Sequence, residues 1–384
     1  MRKPVYFDNN ATTRPAPEVV ESMLPFLNES WGNPSSAYSF GRELGNHLDA
    51  ARARIAALLQ ADPREILFTS CGTESINTAL HSALALQPGK RRLITTSVEH
   101  SATLKFCQFL RKEGCEVTCL PVDPEGKLDL RRLEQGIRPD TAIVSIMWAN
   151  NETGLLFPVE EIAALCRARR VLFHVDAVQT PGKIPLDAGK LGADFLSLSA
   201  HKLHGPKGIG LLYIKRHTRF QPYLLGGGQE RGRRGGTENV PGIVGFGRAA
   251  ELASARLRDE NTRVRMLRDR LETGLLEQIP GSRRNGPAEP RLPNTSNIAF
   301  DGVEAEGILM LLDQAGICAS SGSACATGSL DPSHVLTAMG CDAARARASV
   351  RLSLGVDNTI EEVDYALEQF PSIIARLRAA QPTI

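Results

Sequence analysis

Between residues 64 and 214 the chain alternates short apolar runs with longer segments of helical periodicity. The apolar runs include "EILFTS", "TAIVSIMWA", "VLFHVDAV" and "ADFLSLSA", and segments such as "VEEIAALCRARR" separate them. Near-continuous apolar strands that alternate with amphipathic helices are typical of a mostly parallel sheet covered on both faces. The sequence therefore predicts an α/β domain built on such a sheet.

A second unit is predicted after about residue 240. A long helical stretch rich in Arg and Glu comes first, and strand-like runs such as "SNIAF" and "ASVRLSL" then alternate with helical segments. The chain has 384 residues, of which 42% are hydrophobic and 23% charged, so it can build two domains with sizeable cores. We therefore expect a large α/β domain and a smaller α+β domain.

Charge and cysteine content exclude several classes of protein. The net charge is +2 without a polybasic tract, so neither nucleic acid nor a membrane surface is an expected partner. No apolar run approaches roughly eighteen residues, and the start "MRKPVYFDNN" lacks the apolar core of a signal peptide, so a cytoplasmic protein is expected. The eight cysteines include no C-x-x-C pair, so we expect neither a disulfide framework nor a metal site.

Polar clusters follow five of the predicted strands. They read "CGTES", "EH", "NNETG", "DAVQ" and "AHK". Ligands of parallel α/β sheets bind beyond the carboxyl ends of the strands. One cluster alone is a weak signal, because loops are polar in any case, but clusters that emerge from one edge would line a single site.

Asp176 and Lys202 are the most informative pair in these clusters. Asp176 follows the apolar run "VLFHV", and Lys202 follows "DFLSLS". Taken singly, they could be a strand-end cap and a solvated lysine. Together they meet the requirement of a pyridoxal 5'-phosphate enzyme, which needs a lysine to bind the cofactor covalently and an acid to keep its pyridine nitrogen protonated.

Three features could supply a phosphate cradle, and two of them lie in the same clusters. Gly72 and Thr73 lie between a strand and a helix, where backbone N–H groups and a hydroxyl can meet an anion. Ser199 and His201 flank Lys202 and add a hydroxyl and an imidazole. The glycine-rich segment 226–239 does not match a nucleotide P-loop, and a flexible surface loop is one reading of it.

His100 and Arg351 are further candidates. His100 lies between a strand and a helix in "VEHSATL", where it could cap the helix, stack on a cofactor ring or transfer protons near neutral pH. Arg351 alternates with apolar neighbours in "SVRLSL", on a predicted strand. An arginine that points inward needs an anion, and its planar guanidinium suits a substrate carboxylate.

Cys325 lies among small residues in "SSGSACATGSLDPSH". Cysteine is usually buried, whereas this composition predicts an exposed loop, so the reactivity of the thiol is its expected purpose. Gly322 and Gly328 could serve as hinges of the loop. Asp331 is predicted to cap the helix that follows.

An ordered set of motifs resembles the NifS/IscS-type (group I) cysteine desulfurases of the class V aminotransferase family. The motifs read "YFDNNATT", "FTSCGTES", "EHSATL", "MWANNETG", "HVDAVQTPGK", "SAHKLHGPKG", "QERGRRGGTEN" and "SSGSACATGSLDPSHVL", and they extend over essentially the whole chain. "CGTES", "MWANNETG" and "RGRRGGTEN" favour the NifS branch. One departure is "CATGS", where family members commonly have "CTSGS" or "CTSAS".

The resemblance implies the cofactor contacts residue by residue. Lys202 would form the covalent imine with pyridoxal 5'-phosphate, His100 would stack on the ring, and Asp176 would pair with the ring nitrogen. Gln179 would bond the phenolic oxygen. The phosphate would be held by Thr73, Ser199 and His201, together with Thr237 from the second subunit of a homodimer. Asn151 would contact the ring substituents and, with Arg351, bind the substrate carboxylate.

The resemblance also implies the architecture. We expect a pyridoxal-phosphate-dependent transferase of fold type I, with a seven-stranded, mostly parallel sheet in the large domain. That domain would span residues 14–258. The smaller α+β domain would combine residues 1–13 with residues 259–384 and carry the Cys325 loop.

The implied reaction converts L-cysteine to L-alanine and leaves a persulfide on Cys325. Lys202 would move the α-proton, and His100 would act as acid or base for the thiol or the product. An iron–sulfur scaffold protein of the NifU or IscU type would accept the sulfur, in nitrogenase assembly or in general cluster assembly.

Two alternatives are open from sequence alone. One is another class V enzyme, such as a selenocysteine lyase or an aminotransferase, which would not need Cys325. The other is a non-catalytic binding protein that uses Cys325 as a redox or metal-delivery thiol, in which Lys202 would have no function.

Overall fold

The computed structural model describes residues 4–321 and 331–380. Cys325, Gly322 and Gly328 lie outside this range, so what the sequence predicts for them stays a prediction.

The strands follow the predicted apolar runs. They are β1 (Val5–Tyr6), β2 (Ile66–Thr69), β3 (Arg92–Thr96), β4 (Glu116–Leu120), β5 (Thr141–Met147), β6 (Leu172–Asp176), β7 (Phe195–Ser199), β8 (Gly210–Ile214), β9 (Ser282–Arg284), β10 (Thr295–Phe300), β11 (Ile317–Cys318) and β12 (Ser349–Ser353).

The helices lie between them. They are α1 (Pro17–Met23), α2 (Pro25–Asn28), α3 (Ser39–Leu59), α4 (Gly72–Ala85), α5 (Ser101–Lys112), α6 (Leu130–Gly136), α7 (Val159–Ala168), α8 (Ala188–Leu191), α9 (Gln229–Gly232), α10 (Val240–Asp259), α11 (Arg265–Gln278), α12 (Ala305–Gln314), α13 (His334–Ala338), α14 (Ala343–Arg347) and α15 (Ile360–Ala379). A π-helical turn, Glu260–Val264, joins α10 to α11, and 3-10 turns occupy Pro63–Glu65 and Ala200–Lys202.

The large sheet has seven strands in the order β2-β8-β7-β6-β5-β3-β4. Strand β8 runs antiparallel to both of its neighbours, and the pairs from β7 to β4 are parallel. This confirms the predicted α/β fold with a mostly parallel seven-stranded sheet. The parallel strands place their carboxyl ends, and the polar clusters that follow them, at one edge.

Helices cover both faces of this sheet, because alternate strand residues are apolar on both sides. Phe68 and Ile94 pack in one hydrophobic cluster, whereas their neighbours Leu67 and Leu93 pack in another on the opposite face. Central strands such as β5 are consequently buried along their whole length.

A separate hydrophobic cluster forms around β10 and β12, which pair antiparallel. Leu267, Leu271 and Leu275 of α11 contribute to it at a spacing of four residues, and Val5 and Phe7 join it from the start of the chain. The domain boundary near residue 258 stays a prediction. Residues of α13, which lies beyond it, pack in the cluster of the large sheet.

The prediction that Asp331 caps the next helix was wrong. Helix α13 begins at His334, and its N-cap is Ser333, whose Oγ accepts a hydrogen bond from Leu336 N at 3.2 Å. Serine is as effective an N-cap as aspartate, and here it lies next to the first helical residue.

In the described parts of the chain, none of the helices is both long and apolar enough to cross a bilayer.

Candidate active site

Of the predicted site residues that the structure describes, all but Thr237 line one cavity of about 380 Å³ at the carboxyl edge of the large sheet. These residues are Gly72, Thr73, His100, Asn151, Asp176, Gln179, Ser199, His201, Lys202 and Arg351. A larger cavity of about 530 Å³ lies at the opposite edge among residues such as Arg167, Arg170 and Lys215, and none of the predicted site residues lines it.

One end of the site cavity is built from the start of α4. The N-cap Cys71 forms no side-chain hydrogen bond with the first turn, so the N–H groups of Gly72 and Thr73 have no capping side chain. A Cβ at position 72 would lie 2.9 Å from Cγ2 of Val178. Glycine therefore allows the start of α4 to approach Val178 closely, and uncapped N–H groups at a helix N-terminus suit a phosphate.

His201 and Ser199 complete this end of the cavity. Nδ1 of His201 lies 3.1 Å from Oγ1 of Thr12, and burial lowers the pKa of His201 to about 4. The imidazole is therefore neutral at pH 7. When the Thr12 hydroxyl donates to Nδ1, the proton of the ring lies on Nε2 and can be donated to an anion.

Asp176 is the last residue of β6 and is 6% exposed. Oδ1 accepts a hydrogen bond from Val178 N at 3.0 Å. Burial raises the pKa of Asp176 above its ordinary value, and the charges of His100 and Lys202 oppose that rise. A buried carboxylate of this kind is stabilised by a cation, which is what a protonated pyridine nitrogen would supply.

Gln179 lies beyond the same strand and is 6% exposed. Nε2 donates to the carbonyl of Asn10 at 3.0 Å, whereas Oε1 is buried and receives no hydrogen bond from any residue that the structure describes. Its amide therefore has bonding capacity left for a polar group of a ligand.

Lys202 ends the 3-10 turn that follows β7. Nζ donates to the backbone carbonyls of Asn10 at 2.5 Å and Ala11 at 2.8 Å. The N-terminal segment thus holds the lysine side chain inside the cavity.

His100 is the N-cap of α5, and its Nδ1 accepts a hydrogen bond from Ala102 N at 3.1 Å. This bond uses the lone pair of Nδ1, so the neutral imidazole carries its proton on Nε2. The sequence left a capping role and a catalytic role open for His100, and the geometry is compatible with both.

Arg351 is 1% exposed, on β12. Its Nη2 forms an ion pair of 2.6 Å with Oδ1 of Asp8, and its Nη1 donates to the carbonyl of Asn151 at 3.1 Å. Nε is buried without a partner among the described residues. Arg351 therefore joins the N-terminal segment, the turn after β5 and the second sheet at the cavity wall.

Several neighbours of the cavity were missed from sequence. Asn10 supplies a carbonyl to Lys202, and Asp8 pairs with Arg351. Glu99 and Glu152 are almost completely buried beside predicted site residues. Their positions in the sequence could have indicated them. Asp8 and Asn10 lie in the "YFDNNATT" motif, and Glu99 and Glu152 are adjacent to predicted site residues.

Thr237 is exposed and does not line this chain's cavity. The segment that carries it, 226–239, is tied to helices α3 and α4 by two ion pairs. Arg52 binds the buried Glu230 at 2.7 Å, and Arg234 binds Glu74 of α4 at 2.9 Å. The reading of this segment as a flexible surface loop does not fit these contacts.

Comparison with known proteins identifies the family. The model of the family "Aminotransferase class-V" matches residues 5–366. A "Cysteine desulfurase" of Trichormus azollae is 53% identical over 98% of this chain and 94% of its own length, and "Cysteine desulfurase NifS" of Azotobacter vinelandii is 52% identical over 98% and 94%. A solved "NIFS-LIKE PROTEIN" is 43% identical, with a TM-score of 0.92 over 97% of this chain and 100% of that one. The chain belongs to the class V aminotransferase family and, within it, to the NifS-type cysteine desulfurases.

Proposed function

We propose that this chain is a pyridoxal-phosphate-dependent cysteine desulfurase that converts L-cysteine to L-alanine and leaves a persulfide on Cys325. The observation that carries the proposal is the single cavity in which Lys202, Asp176, Gln179 and His100 converge with an uncapped helix N-terminus. A lysine, a buried acid and an anion cradle are what this cofactor requires.

The residues of the cavity fit the cofactor from one end to the other. Thr73, Ser199 and His201 would hold the phosphate at the start of α4, and Lys202 would hold the cofactor covalently. Asp176 would keep the ring nitrogen protonated, and Gln179 would bond the phenolic oxygen. When bound, the cofactor supplies the electron sink that stabilises negative charge at the substrate's α-carbon.

The chain's own groups would position the substrate and move its protons. Arg351 and Asn151 would orient the carboxylate of L-cysteine, and the amine of Lys202 would remove the α-proton. His100 would exchange a proton at Nε2 with the substrate thiol or the product, because its Nδ1 is engaged with Ala102 N.

Sulfur transfer would take place at Cys325. Its thiolate would attack the sulfur of L-cysteine, so that an S–S bond forms, the Cβ–S bond breaks, and Cβ takes up a proton to give alanine. The small residues around Cys325 in the sequence support this role, because the same thiol must meet both substrate and acceptor.

We also propose that the enzyme is a homodimer in which Thr237 completes the phosphate site of the partner. Exposure of Thr237 and its separation from the cavity of its own chain support this assignment. An iron–sulfur scaffold of the NifU or IscU type is the proposed sulfur acceptor, with nitrogenase assembly favoured by the NifS-like motifs.

The cytoplasm is the proposed compartment. Each cysteine in the described residues is a free thiol, which fits a reducing environment. For the domains we propose the division already expected, with residues 14–258 in the large domain and residues 1–13 and 259–384 in the small one.

The decisive experiment measures three signals of the purified protein with pyridoxal 5'-phosphate: the visible absorption band, alanine, and sulfide released in the presence of a thiol reductant. The parent protein should give all three. Lys202→Ala should lose the visible band, and Cys325→Ala should keep the band but lose sulfide release.

Cys341→Ala is the matched control, because Cys341 is a partly exposed thiol outside the cavity. Full desulfurase activity of Cys325→Ala would overturn the nucleophile assignment, and an unchanged spectrum of Lys202→Ala would overturn the enzyme assignment. Selenocysteine lyase and aminotransferase activities are not favoured, since the similar relatives are named cysteine desulfurases.

A further inference from the structure

Lys183 is a buried cation next to the site for which the proposed reaction gives no role. It follows the turn after β6 and is 4% exposed. Nζ donates hydrogen bonds to the backbone carbonyls of Gln179 at 3.3 Å and Lys202 at 3.4 Å. One ammonium group thus bridges two segments of the site. One carries Gln179, which is proposed to bond the phenolic oxygen of the cofactor, and the other carries Lys202, which is proposed to bind the cofactor covalently.

The turn that places Lys183 depends on Gly182. Gly182 has φ of +74°, a conformation that glycine adopts without strain, and a Cβ there would lie 3.0 Å from Cβ of Ala253 in α10. The close approach of this turn to α10 directs Lys183 into the interior.

Glu260 is the acidic group that faces Lys183. It is the first residue of the π-helical turn between α10 and α11 and is 6% exposed. Its Oε2 receives no hydrogen bond from the described residues. Lys183 and Glu260 both line a cavity of about 20 Å³, which is large enough for one bridging water.

A side-chain hydrogen bond joins the same two segments. Nδ2 of Asn261, the second residue of the π-helical turn, donates to the carbonyl of Lys183 at 2.8 Å. Helix α10 packs in the cluster of the large sheet, and α11 packs in the cluster of the second sheet. Single π-helical turns within helices are frequent at functional sites.

Among the charged and titratable groups around Lys183, Glu260 supplies the opposing negative charge, and burial raises the pKa of Glu260 to about 7. Arg256 of α10, together with Lys202 and His204, lines the same small cavity, and His201 lies within electrostatic range. Burial lowers the pKa of His201 to about 4 and also lowers that of His204, so both imidazoles are neutral at pH 7. Burial lowers the pKa of Lys183, and the charge of Glu260 opposes this effect.

We propose that Lys183 is a positioning residue for Lys202: its ammonium group fixes the backbone of Gln179 and Lys202 and places a positive charge behind the lysine that binds the cofactor. This inference rests on the proposed function, because it takes Lys202 as the cofactor lysine.

Two consequences follow, and the first separates this role from a purely structural one. The nitrogen that Lys202 shares with the cofactor is cationic when protonated, so loss of a neighbouring positive charge makes it keep its proton to higher pH. Loss of the two hydrogen bonds also loosens the backbone of the pocket, so the cofactor binds more weakly.

The test compares Lys183→Met, which keeps length but removes charge and donors, with Lys183→Arg, which keeps both. The readouts are the pH midpoint of the visible band of the bound cofactor and the Kd for pyridoxal 5'-phosphate of the cofactor-free protein. Lys183→Met should raise the midpoint by roughly half to one pH unit and weaken binding. Lys183→Arg should restore most of both.

Lys190→Met is the matched control, because the Lys190 side chain is 84% exposed and pairs with Asp187 at the surface. Its midpoint and Kd should equal those of the parent. An unchanged midpoint in Lys183→Met, whether or not its thermal stability falls, would overturn the inference. Absence of any visible band in the parent would instead refute the proposed function.

Discussion

Oγ of Ser333 donates a hydrogen bond of 2.5 Å to Oε2 of Glu152, and the two side chains are 3% and 2% exposed. The bond joins the N-cap of α13 to the turn after β5 that carries Asn151. Nε2 of His334 lies 2.9 Å from the carbonyl of Glu99, next to His100. Ser333 and His334 therefore fasten the start of α13 to two of the polar clusters at the cavity.

Ser333→Ala should lower the free energy of unfolding by about 1–3 kcal/mol, because it removes a donor to a buried carboxylate and the N-cap of α13 together. Denaturant unfolding at pH 7 measures the change. Ser372→Ala is the control, since that serine is exposed on α15, and its effect should stay within about 0.5 kcal/mol. Equal effects of the two variants would contradict the importance of the bond.

Glu99 should make stability fall as pH rises. Its Oε1 accepts from Oγ1 of Thr96 at 2.7 Å and Met147 N at 3.1 Å, and burial raises the pKa of Glu99 from 4.5 to about 8. Between those two values the folded protein holds a proton that the unfolded chain releases. The free energy of unfolding therefore decreases by up to roughly 1.4 kcal/mol per pH unit from about pH 4.5 to pH 8, and no further above it.

Glu99→Gln removes this titration and keeps an oxygen for Thr96 and Met147. The variant should resemble the parent at pH 5 and be more stable than the parent at pH 8, as measured by denaturant unfolding at both pH values. Glu306→Gln, at an exposed position of α12, serves as the control. The same pH slope in parent and Glu99→Gln would refute the assignment.

The ion pair of Arg52 and Glu230 should be important for stability. Glu230 also accepts from Phe68 N at 3.0 Å, and the side chains of the pair are 9% and 4% exposed. Glu230→Gln leaves a buried guanidinium without its counter-ion, so we expect a loss of about 3–5 kcal/mol.

The pair of Arg54 and Glu251 offers a matched comparison at 41% and 36% exposure. Glu251→Gln should lower stability by no more than about 1 kcal/mol. A small effect of Glu230→Gln, similar to that of Glu251→Gln, would show that segment 226–239 does not depend on its buried pair.

Asp176→Asn should separate cofactor binding from catalysis. Asparagine keeps the shape of the side chain but not the charge that would hold the ring nitrogen protonated, so kcat should fall by about 100-fold or more while the visible band persists. Asp187→Asn, at a helix cap that does not line the cavity, is the control. A kcat within a few-fold of the parent would argue against an electrostatic role of Asp176.

The sheet and much of the cavity could be predicted because they depend on local patterns. Buried parallel strands give continuous apolar runs, and residues such as Asp176 and Lys202 directly follow those runs. Helix periodicity likewise locates α12 and α15. These features need no knowledge of which distant segments meet.

The parts that sequence reasoning missed depend on long-range contacts. Glu230 lies in a glycine-rich segment that suggests a loose loop, yet its partner Arg52 is 178 positions away. Glu152 reads as a polar loop residue until Ser333 is brought against it. Residue type favours Asp331 as the helix cap, whereas the backbone places Ser333 at the N-cap of α13.

The order in which the chain is synthesised limits when the cavity can form. Strand β1 pairs with β11, Asp8 pairs with Arg351, and the N–H of Asn9 donates to the carbonyl of Ser353 at 3.0 Å. The segment that holds Lys202 in place therefore leaves the ribosome well before β12 and finds its partners only after β12 has emerged. A nascent chain can fold its large sheet before β12 is made, but it completes the candidate site only after β12 has emerged.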